Sequence, residues 1–412
     1  TDAFNQDFSG WDVGSVTNME SMFRSAPLPT WITCSVPDAR AFNGDLSKWN
    51  VGSVTSMDFM FCDARAFNGD LSEWNVGSVT DMSGMFRHAE AFNQDLSNWV
   101  PRPLTRTLAT SAPLPEWKAC SMRSMFNNAR DARAFNGDLS KWNVGSVTRM
   151  DYMFCDARAF NRDLSDWNVA SVTSMAYMFY DTRVFNGDLN NWEVGSVTDM
   201  RYMFSRATAF DQDVSSWEVG SVTNMEGMFW GAHAFNQDLS KWNVSSVTTM
   251  ERMFYRAYAF NGDLNGWDVS SVTTMYLMFC RAYAFNQELN SWNVASVTIM
   301  SGLFYNAKAF NQDLSKWNVG SVTHIDSMFN GAYAFNQELN SWNVGSVTVV
   351  ENIFAFTRAF NQDLSNWNVG SVTNMHHMFY NAKAFNQDLS GWDVGSVTSM
   401  ESMFRDARAF NG

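Results

Sequence analysis

Cysteine, proline, histidine and positive charge are all scarce in this chain, and no long apolar run interrupts it. Five cysteines in 412 residues, odd in number and widely spaced, do not make a disulfide framework. The five histidines stand singly or as the pair His376 and His377, without thiol or carboxylate neighbours at metal-ligand spacing. With no nucleophile elbow and no glycine-rich phosphate loop either, the chain reads as noncatalytic. Lys and Arg total 28 against 42 Asp and Glu, a net charge of -14 with a pI near 4.7. Phosphate binding needs a dense basic face, so nucleic acid is not an expected partner. No apolar stretch reaches the roughly 18 residues of a membrane-spanning helix, and the first residues carry no signal-peptide pattern.

What the chain has in abundance is one motif. A Phe-Asn pair recurs at Phe42, Phe67, Phe135, Phe160, Phe185 and onward to Phe410, almost always 25 residues apart. Self-similarity at that period marks a solenoid, in which a unit buries its apolar face only by stacking on its neighbours. Residues 1–412 therefore read as a single repeat solenoid of about fifteen units, and function is expected on a surface rather than in a pocket.

The unit from Ala41 to Arg65 shows how such a rung would fold. Leu46, Trp49 and Val51 match the strand-bearing spacing of a leucine-rich repeat, which predicts a short strand from Leu46 to Val51, with Gly52 and Ser53 as the corner. Val54, Met57, Met60, Phe61 and Ala64 then follow a three-to-four spacing that predicts a helix of one or two turns. Thr55 and Asp58 have the offset of a capping box. The expected class is an α/β solenoid, a leucine-rich-repeat-like right-handed stack with one short parallel strand and one short helix per repeat. Trp49 should lie over Trp74, Phe42 over Phe67 and Met60 over Met85, as core columns.

Two insertions, residues 25–37 and 100–120, break the count. Proline, only seven residues in all, is concentrated there, so both are expected to be loops. They share a phrase, Ser25 to Ser35 and Ser111 to Ser121, whose Trp31 and Trp117 are candidate contacts for a partner. The alternative is a tolerated insertion whose Trp folds back onto the nearest rung.

One acidic column runs through the repeats: Asp45, Asp70, Asp95, Asp138, Asp163, Asp188 and their equivalents. Stacked carboxylates repel, and two arrangements would relieve them. Calcium between rungs is one. The other is a row of Arg or Lys five residues earlier, with the Asp also accepting turn N-H groups. Asn43 and Asn68 should form an amide ladder. The Thr55, Thr80 and Thr148 column is either a set of caps or a flat hydroxyl array suited to ice or a glycan. Cys62, Cys155 and Cys280 occupy one place in their repeats and read as small core fillers, while Cys34 and Cys120 fall in the insertions.

The phrase from Phe235 to Phe254, FNQDLSKWNVSSVTTMERMF, resembles the BspA-like leucine-rich-repeat surface proteins, with the repeat of mycoplasma surface lipoproteins. That resemblance implies export, cell-surface or extracellular display, and adhesion to host or matrix proteins, without catalytic residues. The expectation is an elongated scaffold or adhesive surface that binds protein partners or assembles with itself through its faces and ends. The alternative is a calcium, mineral or glycan-binding array on the acidic column. No other cofactor is expected, and the chain reads as a piece of a longer polypeptide.

Overall fold

The computed structural model describes residues 5–24, 39–99, 122, 125–126 and 135–411. Two compact units result, Thr1–Val197 with Arg206–Gln212, and Thr198–Ser205 with Asp213–Gly412. In each, consecutive repeats lie parallel, one rung on the next. The apolar places of the repeat all turn inward: Phe42, Leu46, Val54, Met57, Met60 and Phe61 in the first unit are completely buried, as are Leu264, Val272, Met275, Met278 and Phe279 in the second. Trp49 and Trp74 lie with parallel ring planes, centroids 6.4 Å apart, and Phe42 and Phe67 at 5.8 Å. The ring of Phe61 also nests at 4.1 Å against Phe67 of the next rung. Two phenylalanine columns thus interlock, each rung wedged into its neighbour.

The backbone differs from the expected strand and helix. Among the described residues the one regular element is a short 3-10 turn, Ala39–Ala41. Residues 46–51 form no strand: Trp49 N-H closes a turn on the Leu46 carbonyl at 3.1 Å. Pairing occurs instead as isolated parallel bridges further along the rung, such as Ser56 with Asp81 and Thr274 with Ile299. From there the segment expected to be helical is a run of overlapping turns. In the rung from Met275, alternate N-H groups divide their work. Those of Met278, Cys280 and Ala282 close turns on carbonyls three residues back, while those of Met275, Leu277, Phe279 and Arg281 donate to carbonyls of the next rung at 2.6 to 3.0 Å. Such turns bring the same side chains inward as a helix would, which is why the spacing misleads. A helix this short is marginal in water, whereas stacking gives every second N-H a partner in the adjacent rung.

Side chains extend the same ladder. Asn68 N-H donates to Asn43 Oδ1 at 2.8 Å and Asn286 N-H to Asn261 Oδ1 at 2.8 Å, so the expected amide ladder is present in both units. The indole N-H of Trp74 donates to the Leu46 carbonyl at 2.9 Å, and that of Trp267 to Leu239 at 2.9 Å. Each buried ring is thereby satisfied by the preceding rung. Thr55 caps no helix: Thr80 donates through both its N-H, at 2.8 Å, and its Oγ1, at 3.0 Å, to the Thr55 carbonyl.

Phe279→Ala removes a ring from one column and the partner of Phe285 in the other, and should cost about 3–5 kcal/mol. Asn286→Ala strips the acceptor from Asn311 N-H and Gln312 Nε2 and should cost about 1–3 kcal/mol. Urea denaturation measures both; a neutral Asn286→Ala would show the ladder to be incidental.

Candidate functional site

With the interior so uniform, chemistry that differs between rungs is found on the outside of the turn run. Two places there are held in the left-handed backbone region in rung after rung. One is the place of Phe59 (φ 51°), occupied elsewhere by Tyr152, Tyr177, Tyr202, Arg252, Leu277 and His377. The other is the place of Asp63 (φ 61°), with Asp156, Asp181, Arg256 and Arg281 among its occupants. Each sits at the third residue of its turn, where positive φ is the mark of type II geometry. Glycine or asparagine is the ordinary occupant, and a bulky residue there costs on the order of 1–2 kcal/mol. Inter-rung hydrogen bonds hold the backbone in this shape, and large variable side chains are displayed on it.

Those side chains lean over the next rung. A Cβ placed on Gly84 would lie 2.4 Å from the Phe59 ring, on Gly227 2.4 Å from Tyr202, and on Gly302 2.4 Å from Leu277. In these pairs a large residue is accommodated because the rung beneath offers glycine. Where both rungs carry rings they stack, as Tyr152 and Tyr177 do at 4.5 Å.

The wall is charged as well. In the first unit the nearly buried Asp181 is bound by Arg158, and by Arg183 at 2.9 Å. Burial opposes its charge, but hydrogen bonds and the charges of Arg183 and Arg158 hold it ionised and its pKa low. The neighbouring Asp156 is pushed up to about 6 by burial and by the Asp181 carboxyl. Asp58 also rises to about 6, through burial and the charges of Asp81 and Glu20. In the second unit Arg252 lies between Glu226 and Glu251, 3.8 and 3.6 Å away, and His376 Nδ1 stands 3.3 Å from Glu351.

The acidic column picked out in the sequence lies elsewhere on the rung. Asp45, Asp70, Asp95, Asp138, Asp163 and Asp188 each accept the backbone N-H two residues on, at 2.8 to 2.9 Å. That backbone hydrogen bond, with help from the Ser side chain, holds Asp45 and Asp138 below the usual carboxylate range. The basic row expected to neutralise this column is engaged differently: Arg65 pairs with Glu90 at 3.2 Å, and Arg158 with Asp181. Among the described residues no three His, Cys, Asp or Glu side chains are grouped as a metal site would need. Trp31 and Trp117, with the insertions that carry them, lie outside the described residues, as do Cys34 and Cys120. Cys62, Cys155 and Cys280 are buried and unpaired, and burial pushes the Cys62 and Cys280 thiols up to about 12. Thr hydroxyls such as those of Thr55, Thr80 and Thr273 donate to the Thr carbonyl of the preceding rung. No described helix is long and apolar enough to cross a membrane.

Parallel rungs of one 25-residue motif define a tandem-repeat solenoid protein. The chain belongs to the family described as "Mycoplasma protein of unknown function, DUF285", whose model matches residues 1–112, 108–217, 188–292, 238–339 and 298–412. No curated protein matches it. Among solved structures it is similar to the leucine-rich-repeat protein LIC12759 of Leptospira interrogans, with 8% identity over 78% of this chain and 71% of that one, TM-score 0.26. A leucine-rich cell surface protein from Faecalibacterium prausnitzii matches at 11% over 65% and 87%, TM-score 0.25. The TLR13 chain of a TLR13-ssRNA13 complex matches at 11% over 81% and 47%, TM-score 0.23, so this chain spans about half its length. At such scores none of the three bears on what the chain binds.

The raised carboxyl of Asp58 gives a pH signature. A carboxyl whose folded pKa exceeds its unfolded value favours folding when protonated, and that contribution is lost as pH rises from near 4 through about 6. Asp58→Asn should therefore raise the melting temperature at pH 8, and the gain should shrink to nothing near pH 4. A gain independent of pH in scanning calorimetry would assign the effect to packing instead.

Proposed function

We propose that this chain is a noncatalytic repeat scaffold, displayed on a cell surface or in the extracellular space, whose outer turn wall binds protein partners or further copies of itself. One observation carries the reading: bulky, variable residues such as Tyr152, Tyr177, Tyr202 and Leu277 are held at positive φ on successive rungs, while the inward columns scarcely vary. Strained backbone under half-buried aromatic and charged side chains is a feature of recognition surfaces. Surface display follows the BspA-like resemblance of the repeat phrase. The sequence motif and the burial pattern leave the wall free to differ from copy to copy, as a binding face of a repeat array must be. No cofactor enters this reading.

Immobilised fibronectin, fibrinogen and collagen, probed by biolayer interferometry, test the wall. A variant carrying Tyr152→Ser, Tyr177→Ser, Arg252→Ser and Leu277→Ser should bind its protein at least about tenfold more weakly. Lys48→Ala with Glu73→Ala, exposed and away from the wall, should leave affinity unchanged. Equal losses in both variants, or binding to none of the three and no self-association in analytical ultracentrifugation, would overturn the proposal.

The same reading makes the fold independent of divalent cations. Millimolar calcium should leave the melting temperature where it is in EDTA, and a rise of several degrees would return the acidic column to consideration as a calcium array.

A further inference from the structure

We infer that one strip of the second unit binds an acidic polysaccharide. The strip is formed by the four residues that follow Phe229, Phe254, Phe279, Phe304, Phe329, Phe354 and Phe379. These stretches contain no Asp or Glu, in a chain whose net charge is -14. In the first unit the same places hold Asp63, Glu90, Asp156 and Asp181. Acid is missing from these four places, though the same rungs keep it elsewhere, as at Glu251, Glu288 and Glu351.

How those cations are held is the second observation. In the first unit Arg65, Arg158 and Arg183 are tied to carboxylates. Among the described residues, none of Arg256, Arg281, Lys308 and Arg358 forms an ion pair. Three of them lie on tyrosine rings instead: Arg256 over Tyr255 at 5.2 Å, Lys308 over Tyr283 at 4.5 Å and Tyr333 at 5.8 Å, and Arg358 over Tyr333 at 4.3 Å. A cation–π contact positions a cation without neutralising it. Positive charge is thus presented by Arg256 and Arg281 at the second place after Phe on successive rungs, and by Lys308 and Arg358 at the fourth place on either side of Tyr333.

The rings decide which polyanion fits. His233 stacks on Tyr258 at 4.4 Å and Tyr258 on Tyr283 at 4.9 Å, and Lys308 fills the interval between Tyr283 and Tyr333. Ring faces along this column are occupied, whereas single-stranded nucleic acid depends on free faces for its bases. What the column offers is ring edges and phenol hydroxyls, with Lys308 and Arg358 set among them. An extended peptide presents side chains on one side only about every 6.6 Å, out of step with the 4.9 Å between the rings of Tyr258 and Tyr283. A polysaccharide bearing carboxylates or sulfates, with hydroxyls along its length, can use donors and cations together. Repulsion from the rest of the chain is screened within about 8 Å at physiological ionic strength, so the local charge governs the contact.

This rests on the proposed recognition role of the outer wall and supplies it with a second class of ligand. Heparin is the probe, with neutral dextran, poly(U) and poly-glutamate as competitors on an immobilised-heparin surface. Wild-type chain should bind at near-physiological salt and release as salt rises. Arg281→Gln with Lys308→Gln and Arg358→Gln should weaken binding at least about tenfold. Arg281→Lys with Arg358→Lys, and Lys48→Gln with Lys141→Gln, should leave it within about twofold. On unmodified protein, heparin should protect Lys308 from acetylation. Absence of heparin binding, tighter binding of poly(U) or poly-glutamate, or an unprotected Lys308 would each overturn the inference. Loss of heparin binding with matrix-protein binding retained removes the strip alone, and the converse removes the protein-binding reading alone.

Discussion

Registry between one rung and the next is the constraint on which the rest of this protein depends. Asn68 reaches Asn43, Trp74 reaches Leu46 and Thr80 reaches Thr55 only if each copy repeats its length and sits squarely on the last. A residue gained or lost within a rung would throw several hydrogen bonds and several aromatic columns out of step together. In sequence all seven prolines fall in the insertions 25–37 and 100–120, and the regular copies have none, because a ladder N-H is needed at so many of their places.

That constraint explains both the uniform interior and the freedom outside. Inward residues meet identical residues above and below, so the best-packed side chain at one rung is the best at all of them. Outward residues of the turn run meet solvent and the neighbour's flank. Backbone bonds to the next rung fix Leu277 and Arg281 in a conformation their own preferences oppose, and the cost is offset by the burial of Met275, Met278 and Phe279 a residue or two away.

Much of this is legible in the residues. The stacked tryptophans and phenylalanines, the asparagine ladder and the turn role of Asp45 all follow from spacing and residue chemistry. The helix between Val54 and Ala64 is a misreading with a clear origin: turns closing three residues back leave the same apolar imprint as a helix. Left-handed backbone at Phe59, Tyr152 and Leu277 escapes notice because nothing about those residue types favours it; Gly84, Gly227 and Gly302 in the same place were the available signal. Whole-chain charge hides the proposed strip, since a sum over 412 residues averages away four places of the rung at which acid is missing.

The fit of Phe59 over Gly84, Tyr202 over Gly227 and Leu277 over Gly302 has a bearing on how such arrays diversify. Core residues let any copy follow any other, so gene segments can be multiplied or shuffled freely with respect to the interior. The outer surface imposes a grammar of its own, in which a large residue licenses only certain successors. Heritable novelty in this lineage should then arrive as matched pairs of neighbouring copies, with the pair, not the single repeat, as the unit that recombination moves intact.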